Sequence, residues 1–152
     1  MPSNIKADFE VIISSALPGD PYVGISLLLP TILPVNLIER APGVRPPVFV
    51  FRRVEGDIYT LSINGMQVIE LERRLFAALE RPAQEWVIKY RQFHDAYTIT
   101  KRLDSREEIG WIAPVKGESK QIHIGPLGQI DTAPPGYPPR ELFNFQFLDH
   151  EL

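Results

Sequence analysis

Cysteine is absent from the 152-residue chain. Its absence excludes a disulfide framework, a thiolate metal site and a thiol nucleophile. Because a chain of this length buries about 68–70% of the surface that its unfolded form exposes, apolar packing can hold one core together without cross-links. We therefore expect a single domain over residues 1–152.

The chain also lacks an excess of basic residues and a long apolar run. Its 16 Lys and Arg against 19 Asp and Glu give a formal net charge of −3, so no basic field attracts nucleic acid or an anionic membrane. No run approaches the roughly 18 apolar residues of a membrane span, and residues 1–8 lack the apolar core of a secretory signal. We expect a cytoplasmic monomer with neither nucleic acid nor membrane as a partner.

Catalytic and cofactor motifs are scarce. None of the three histidines, His94, His123 and His150, has a second histidine within a helical turn, so no zinc-binding spacing is present. Gly24-Ile25-Ser26 begins like a nucleophile elbow, but Leu28 stands where the closing glycine is required. The glycine patterns that bind nucleotides are missing as well. The sequence predicts no catalytic residue, no metal and no cofactor.

Proline, by contrast, is abundant. Of the 15 prolines, all but Pro2 and Pro82 lie between residues 18 and 47 or between residues 114 and 139. Because proline fixes φ and removes a backbone donor, these stretches are predicted to be ordered loops and short edge strands. Between them, residues 48–51 and 58–63 have the composition of a hairpin, with turn residues at 52–57. Asn64-Gly65 tolerates positive φ at both positions and predicts a type I′ turn into a further strand.

The strand pattern recurs along the chain. Aromatic residues open similar strands at Phe9, Tyr59 and Tyr97, and similar closing strands occur at residues 48–51, 86–90 and 142–148. Pairing of the last strand with the first would remove the sheet edges. We predict an all-β fold of the β-trefoil type: three four-stranded repeats forming a pseudo-threefold barrel with a hairpin cap. Phe9, Tyr59 and Tyr97 should then occupy equivalent places.

Residues 70–81 conflict with this interpretation. Leu71, Leu75 and Leu79 recur at helical spacing among good helix formers, so local propensity predicts a helix. The threefold pattern requires residues 74–79 to form a strand instead. We expect the tertiary context to decide between the two.

Both tryptophans have a structural and a functional interpretation. Gln84-Glu85-Trp86 matches one copy of the Q-x-W tripeptide that ricin-type trefoil lectins carry several times. Because phenylalanines stand at the corresponding positions of the other units, Trp86 is predicted to fill the core, as is Trp111. A carbohydrate-binding trefoil stays open as an alternative function.

An ordered series of segments over about residues 55–148 resembles the mushroom serine-peptidase inhibitors of the β-trefoil type, relatives of the mycocypin cysteine-protease inhibitors. The segments are Leu75-Phe76-Ala77-Ala78-Leu79, Glu85-Trp86-Val87-Ile88, Ala96-Tyr97-Thr98-Ile99, Gly110-Trp111-Ile112-Ala113-Pro114, Gln121-Ile122-His123-Ile124-Gly125-Pro126-Leu127 and residues 134–143. Tyr137-Pro138-Pro139 is the most specific part, whereas residues 1–47 match in outline. The resemblance implies a fungal defence protein that inhibits proteases and is not an enzyme.

The serine-protease branch of that family implies a reactive loop between the second and third strands, here residues 26–34. This stretch has no Lys or Arg, so it suits the apolar pocket of a chymotrypsin-like or subtilisin-like serine protease better than that of trypsin. Leu27, Leu28 or Leu29 is predicted to enter the specificity pocket, although Pro30 argues against Leu29. The alternative is that the apolar run is a buried strand. The predicted contact residues are Leu27, Leu28, Leu29, Thr31, Ile32 and Leu33.

Two other loops are secondary candidates. Plant trefoil inhibitors use the loop between strands four and five, which would here offer Arg52 and Arg53 to trypsin. The mycocypins inhibit legumain, an asparagine-specific cysteine protease, through the turn after the fifth strand, where Asn64 lies. A type I′ turn already accounts for Asn64 without any protease.

Overall fold

The computed structural model describes residues 5, 7–25, 32–115, 119–128 and 136–151. These residues form an all-β, antiparallel arrangement with one short 3₁₀ helix, Pro139–Glu141. None of the described residues belongs to a helix long and apolar enough to span a membrane. The strands are β1 (Phe9–Ser15), β2 (Tyr22–Gly24), β3 (Ile32–Pro34), β4 (Asn36–Ile38), β5 (Phe49–Glu55), β6 (Ile58–Ile63), β7 (Met66–Leu71), β8 (Arg74–Ala78), β9 (Glu85–Arg91), β10 (Ala96–Lys101), β11 (Ile109–Ile112), β12 (His123–Pro126) and β13 (Phe143–Glu151).

Six strands pair in a closed cyclic order: β1, β5, β6, β9, β10, β13 and back to β1. The first and last strands pair along most of β1, from Val11 opposite Phe147 to Ser15 opposite Phe143. The predicted pairing of the last strand with the first is confirmed. Closure gives each of the six strands a partner on both sides, which protects the ring from edge-to-edge aggregation.

Three hairpins extend from the ring: β2 with β4, β7 with β8, and β11 with β12. A cycle of backbone hydrogen bonds joins them, and its three members are fully buried. Val35 N donates to Leu75 O (3.0 Å), Leu75 N to Ile122 O (3.0 Å), and Ile122 N to Val35 O (2.9 Å). The three hairpins therefore meet in an equivalent way around one point.

The strand register identifies equivalent residues in the three units. The three opening strands of the sequence pattern are β1, β6 and β10, and the three closing strands are β5, β9 and β13. In each opening–closing pair, a residue of the opening strand lies opposite a fully buried aromatic residue of the closing strand. The pairs are Val11 with Phe49, Tyr59 with Trp86, and Tyr97 with Phe143. The prediction that Phe9 is the equivalent of Tyr59 and Tyr97 is therefore wrong. Phe9 lies two residues before Val11, and the β1–β13 register is irregular between them, so the aromatic pattern alone could not reveal the shift.

Both tryptophans lie in the core, as predicted. Trp86 and Trp111 are fully buried and contact each other edge to face, with ring centroids 5.7 Å apart. The Trp86 indole Nε1 donates to Val68 O (3.0 Å). A fully buried ring cannot stack on a sugar, so Trp86 offers no support for carbohydrate binding.

The segment with helical spacing is a strand. Glu72 and Arg73 both have positive φ (50° and 64°), the signature of a type I′ turn, and β8 follows directly. One edge of β8 pairs with β7, and its C-terminal part also pairs with β3 on the other side. Helix propensity is worth a few tenths of a kcal/mol per residue, so these two ladders outweigh it. The helix prediction is wrong, and the strand prediction for residues 74–78 is confirmed.

A polar network holds the Tyr-Pro-Pro segment in place. The Tyr137 hydroxyl donates to Glu108 Oε1 (2.6 Å), and Tyr137 N donates to His94 Nε2 (2.9 Å). Arg91 Nη2 donates to Glu108 Oε2 (2.5 Å), and the Arg91 guanidinium lies 4.6 Å from the centroid of the Tyr137 ring. The network joins the segment before β13 to the β9–β10 turn and to the residue before β11.

Two carboxyl groups of this region have pKa values shifted in opposite directions. Burial acts to raise the pKa of Glu108, but hydrogen bonds from Tyr137 and Arg91 outweigh it and hold that pKa below its usual value of 4.5. Burial raises the pKa of Glu141, even though Gly128 N donates to both of its oxygens. The Glu108 contribution to stability is therefore present above pH 4.5 and lost as the pH falls. Glu141 has the opposite effect on stability. Its ionised side chain destabilises the fold at neutral pH, and this cost disappears on acidification.

Opposite effects are expected from the two matched substitutions. Glu108→Gln should lower the free energy of unfolding by about 2 kcal/mol at neutral pH, because Arg91 loses an ionised acceptor. Glu141→Gln should raise the melting temperature there, since the amide oxygen can still accept from Gly128 without a buried charge. Thermal unfolding across the pH range measures both. The Glu108→Gln difference should shrink below pH 4.5, whereas the Glu141→Gln difference should shrink at higher pH, as the pH falls toward 4.5. A Glu141→Gln protein that is less stable than the native protein at neutral pH would contradict this assignment.

Candidate functional site

The structure divides the predicted contact residues into two groups. Ile32 and Leu33 belong to β3, where they lie opposite Ala78 and Ala77 of β8. Leu33 is 3% exposed and packs in the core, so it cannot enter a protease pocket. Its assignment to the contact surface is wrong, and Ile32 is a strand residue at the base of the loop. The prediction stands untested for Leu27, Leu28, Leu29 and Thr31, which lie outside the described residues.

Both flanks of residues 26–31 are fixed by backbone pairing. On the N-terminal side, Gly24 pairs with Asn36, and Ile25 is buried. On the C-terminal side, β3 pairs with β8, and Val35 continues the contact through its hydrogen bond to Leu75. The segment therefore connects two ordered strands, and its end points have little freedom to move apart.

Hydrogen bonds of the Arg40 side chain hold the β2–β4 hairpin together at the end that lies away from residues 26–31. The Arg40 guanidinium donates to Asp20 O (2.6 Å), Ser14 Oγ (2.9 Å) and the Tyr22 hydroxyl (3.1 Å). It thereby joins the chain just after β4 to β1 and to the start of β2. Its planar fork of donors suits three acceptors at once, which a lysine could not satisfy in the same way.

Arg52 and Arg53 do not lie on a loop. β5 continues to Glu55, and the hairpin turn is Gly56-Asp57, where Gly56 has a φ of 49°. Arg52 forms an ion pair with Asp8 (2.6 Å), and Arg53 donates to the Tyr59 hydroxyl (2.6 Å from Nη2). The prediction of a trypsin-directed loop at these residues is wrong, because the glycine allows a tight turn and the strand runs up to it.

Asn64 lies on the predicted hairpin turn. Asn64 and Gly65 have φ values of 51° and 77°, which confirms the type I′ turn, and both residues are exposed. Met66 then opens β7, whose Gln67 lies opposite Ala78. Since Ala78 also faces Ile32 on its other edge, the Asn64 turn and the base of the 26–31 segment lie at the same end of β8.

Three features therefore share one end of the molecule, which we call the loop end. It consists of the base of residues 26–31 at Ile32, the turn at Asn64-Gly65, and residues 79–84, which follow β8. Neighbouring strands are about 4.8 Å apart, so Ile32 and Gln67, on either side of Ala78, are roughly 10 Å from each other. The sequence did not indicate that these features would be neighbours, because their proximity depends on β8 pairing with both β3 and β7.

The described part of the chain offers no obvious cofactor chemistry. Within it, no group of three or more His, Asp or Glu side chains is placed to hold a metal ion. Glu108 and Glu141, the carboxyl groups with shifted pKa values, are engaged with Tyr137, Arg91 and Gly128 inside the fold. The exposed loop end is the better candidate for a functional surface.

Comparison with known proteins identifies the family. A family model described as peptidase inhibitor I66 matches residues 31–147. The chain is also similar to a proteinase inhibitor from Coprinopsis cinerea of known structure, with 26% sequence identity, a TM-score of 0.74, and coverage of 95% of this chain and 100% of that chain. No curated protein sequence matches it. The predicted resemblance to fungal protease inhibitors is confirmed, and the chain belongs to the peptidase inhibitor I66 family.

Proposed function

We propose that the chain inhibits a serine protease by placing residues 26–31 in the active-site cleft of the enzyme. The observation that carries the proposal is that this segment connects two strands fixed by backbone pairing, Gly24 with Asn36 on one side and Ile32 with Ala78 on the other. An inhibitory loop needs such fixed ends, because ordering a loose loop on binding costs affinity. Membership of a peptidase inhibitor family supports a protease as the partner.

The chemistry of the segment favours an apolar specificity pocket. It contains Leu27, Leu28 and Leu29 followed by Pro30, and it carries no charge. A leucine fits the hydrophobic slot of a chymotrypsin-like or subtilisin-like enzyme, whereas trypsin requires a cation opposite its buried aspartate. Proline after Leu29 also fixes φ and stiffens the segment. In this proposal the protein binds its target without turnover and needs neither metal nor cofactor.

We further propose that the fold is a β-trefoil. The cyclic pairing of six strands, the three hairpins and the hydrogen-bond cycle of Val35, Leu75 and Ile122 support it. On this interpretation, β2 and β4 form the first hairpin, and residues 25–35 connect them in the sequence. In the second hairpin only Glu72 and Arg73 connect β7 to β8, so the first hairpin has the longer connection, and longer connections are where binding residues are commonly found.

Legumain inhibition through Asn64 is the second candidate. The exposed position of Asn64 at the loop end favours it. A type I′ turn is curled, whereas proteases bind extended chains, so Asn64 would have to leave its turn conformation to be bound as a substrate is. We therefore rank it below the leucine-containing segment.

Inhibition constants for chymotrypsin, subtilisin, trypsin, papain and legumain test the proposal. The native protein should inhibit chymotrypsin or subtilisin, and Leu28→Asp should weaken that inhibition by about thirtyfold, the loss of a central contact worth about 2 kcal/mol. Val54→Asp is the matched control, because Val54 is an exposed residue (44%) of β5 next to the Gly56 turn, roughly 20 Å along β6 from Asn64.

Three other outcomes have different meanings. Unchanged inhibition by Leu28→Asp would remove residues 26–31 from consideration. Inhibition of legumain alone, lost in Asn64→Asp, would favour the second candidate. No inhibition of any enzyme would favour a trefoil that serves as a storage or interaction protein, since fold does not fix function.

Several expectations from the sequence stay predictions. They are the single domain, the monomeric state, the cytoplasmic location, and the lack of nucleic-acid or membrane partners. Size-exclusion chromatography with light scattering tests the monomer directly, and a mass near 17.3 kDa is expected.

A further inference from the structure

We propose that residues 79–84 form a second contact surface for the inhibited protease, with Leu79 as its apolar anchor. This inference rests on the proposed function, because it assigns an additional contact to the same enzyme. Residues 79–84 lie outside the predicted reactive segment and would bind the enzyme beside its active-site cleft. The partner surface is an apolar patch on the protease that accepts a leucine side chain.

Position is the first reason. Ala78, the last residue of β8, is paired on one edge with Ile32 and on the other with Gln67. Leu79 is the next residue, so it follows directly from the contact that fixes the base of residues 26–31. An enzyme that approaches the loop end along that base must come close to Leu79 as well.

Exposure is the second reason. Ala77 and Ala78 are buried, whereas Leu79 is 42% exposed and Glu80, Arg81 and Pro82 are exposed beside it. A single exposed leucine is ordinary on a protein surface, but this one lies beside a predicted binding segment. Protein interfaces have an apolar centre surrounded by a polar rim, and Leu79 with the charged Glu80 and Arg81 beside it has this arrangement.

Rigidity is the third reason. β8 is paired on both edges up to Ala78, Glu80 has a positive φ of 55°, and Pro82 has its φ fixed by its ring. At the far end, the Gln84 side chain accepts a hydrogen bond from Glu70 N (2.8 Å). A connection held at both ends and constrained between them loses little freedom on binding, so its contacts contribute to affinity.

Leu79→Ser tests the inference, with Val54→Ser as the matched control at the opposite end of β6. Leu79→Ser should raise the inhibition constant for the target protease about fivefold to tenfold, chiefly through faster dissociation. Val54→Ser should leave that constant unchanged. Because Leu79 is exposed, thermal unfolding should not differ between the two variants, and Leu79→Lys provides a second variant that keeps an aliphatic stem but adds charge at the contact.

The outcomes separate this inference from the proposed function. If the native protein inhibits and Leu28→Asp weakens inhibition by about thirtyfold while Leu79→Ser and Leu79→Lys behave like the native protein, the second contact surface is overturned and the proposed function stands. If Leu79→Ser and Val54→Ser weaken inhibition equally, the second contact surface is likewise overturned. If the native protein inhibits no serine protease, both proposals fail.

Discussion

Trp86→Ala is expected to lower the free energy of unfolding by about 4 kcal/mol. The Trp86 ring is fully buried and meets Trp111 edge to face at 5.7 Å between centroids. It also donates the hydrogen bond to Val68 O that satisfies a carbonyl of β7. Truncation removes the apolar contacts, leaves a cavity beside Trp111, and leaves the buried Val68 carbonyl without its donor.

Urea denaturation and thermal unfolding measure the effect of Trp86→Ala. For a chain of this length, the expected loss corresponds to a fall in melting temperature of about 8–16 °C. Trp86→Phe keeps most of the apolar volume and should lose less than half as much. Phe93→Ala is the surface control, since Phe93 is 62% exposed, and it should change stability by less than about 0.5 kcal/mol. A loss below 1 kcal/mol for Trp86→Ala would show that this ring is not central to the core.

Gly110→Ala is expected to cost about 3 kcal/mol although it adds a single methyl group. Gly110 lies opposite Thr100 where β11 meets β10. A Cβ atom at Gly110 would lie 2.1 Å from Ile99 O and 2.7 Å from Thr100 Cα. Both atoms belong to the backbone, so no side-chain rotation can relieve the overlap, and the two strands must separate.

Gly125→Ala is the matched control for Gly110→Ala. Gly125 pairs with Gly110 across the β11–β12 hairpin, but a Cβ there would meet Ile112 Cδ1 at 3.4 Å, the end of a flexible side chain. We expect Gly125→Ala to change stability by less than about 1 kcal/mol. Equal unfolding free energies for the two alanine variants would mean that β10 and β11 are not in the close contact described.

Local chemistry was sufficient to predict the tight turns that depend on special residues. Asn64-Gly65 was recognisable because both residue types tolerate positive φ. Glu72-Arg73 forms the same kind of turn with residues that give no such signal, so the sequence indicated a helix there. The pairing of β8 with both β3 and β7 decides its conformation, and β3 lies about forty residues away in the sequence.

The ends of strands and loops were harder to predict. The apolar run from Leu27 to Leu33 is compatible with both a loop and a buried strand. In the structure, strand β3 begins at Ile32. Arg52 and Arg53 belong to a sequence stretch with turn chemistry, but the register carries β5 to Glu55. In each case the boundary depends on a partner strand, which no local pattern reveals.

The surface around the candidate site was not predictable from the sequence. Leu79 looked like one member of a helical stripe, and nothing near it in the chain indicated that Ile32 would be its neighbour. The network of Glu108, Arg91 and Tyr137 likewise joins residues that are far apart in the sequence. The sequence alone reveals the Tyr137-Pro138-Pro139 motif, but its contacts with Glu108 and His94 can be identified only once the fold is known.

Hydrogen exchange of the free inhibitor and of its protease complex tests the central claim most directly. Because it requires no substitution, it locates the interface independently of any effect of mutation on folding. The largest gain in protection is expected in the peptides that cover residues 25–33, with a smaller gain over residues 79–84. Protection confined to the opposite end of the molecule, at the β5–β6 and β9–β10 turns, would contradict the account.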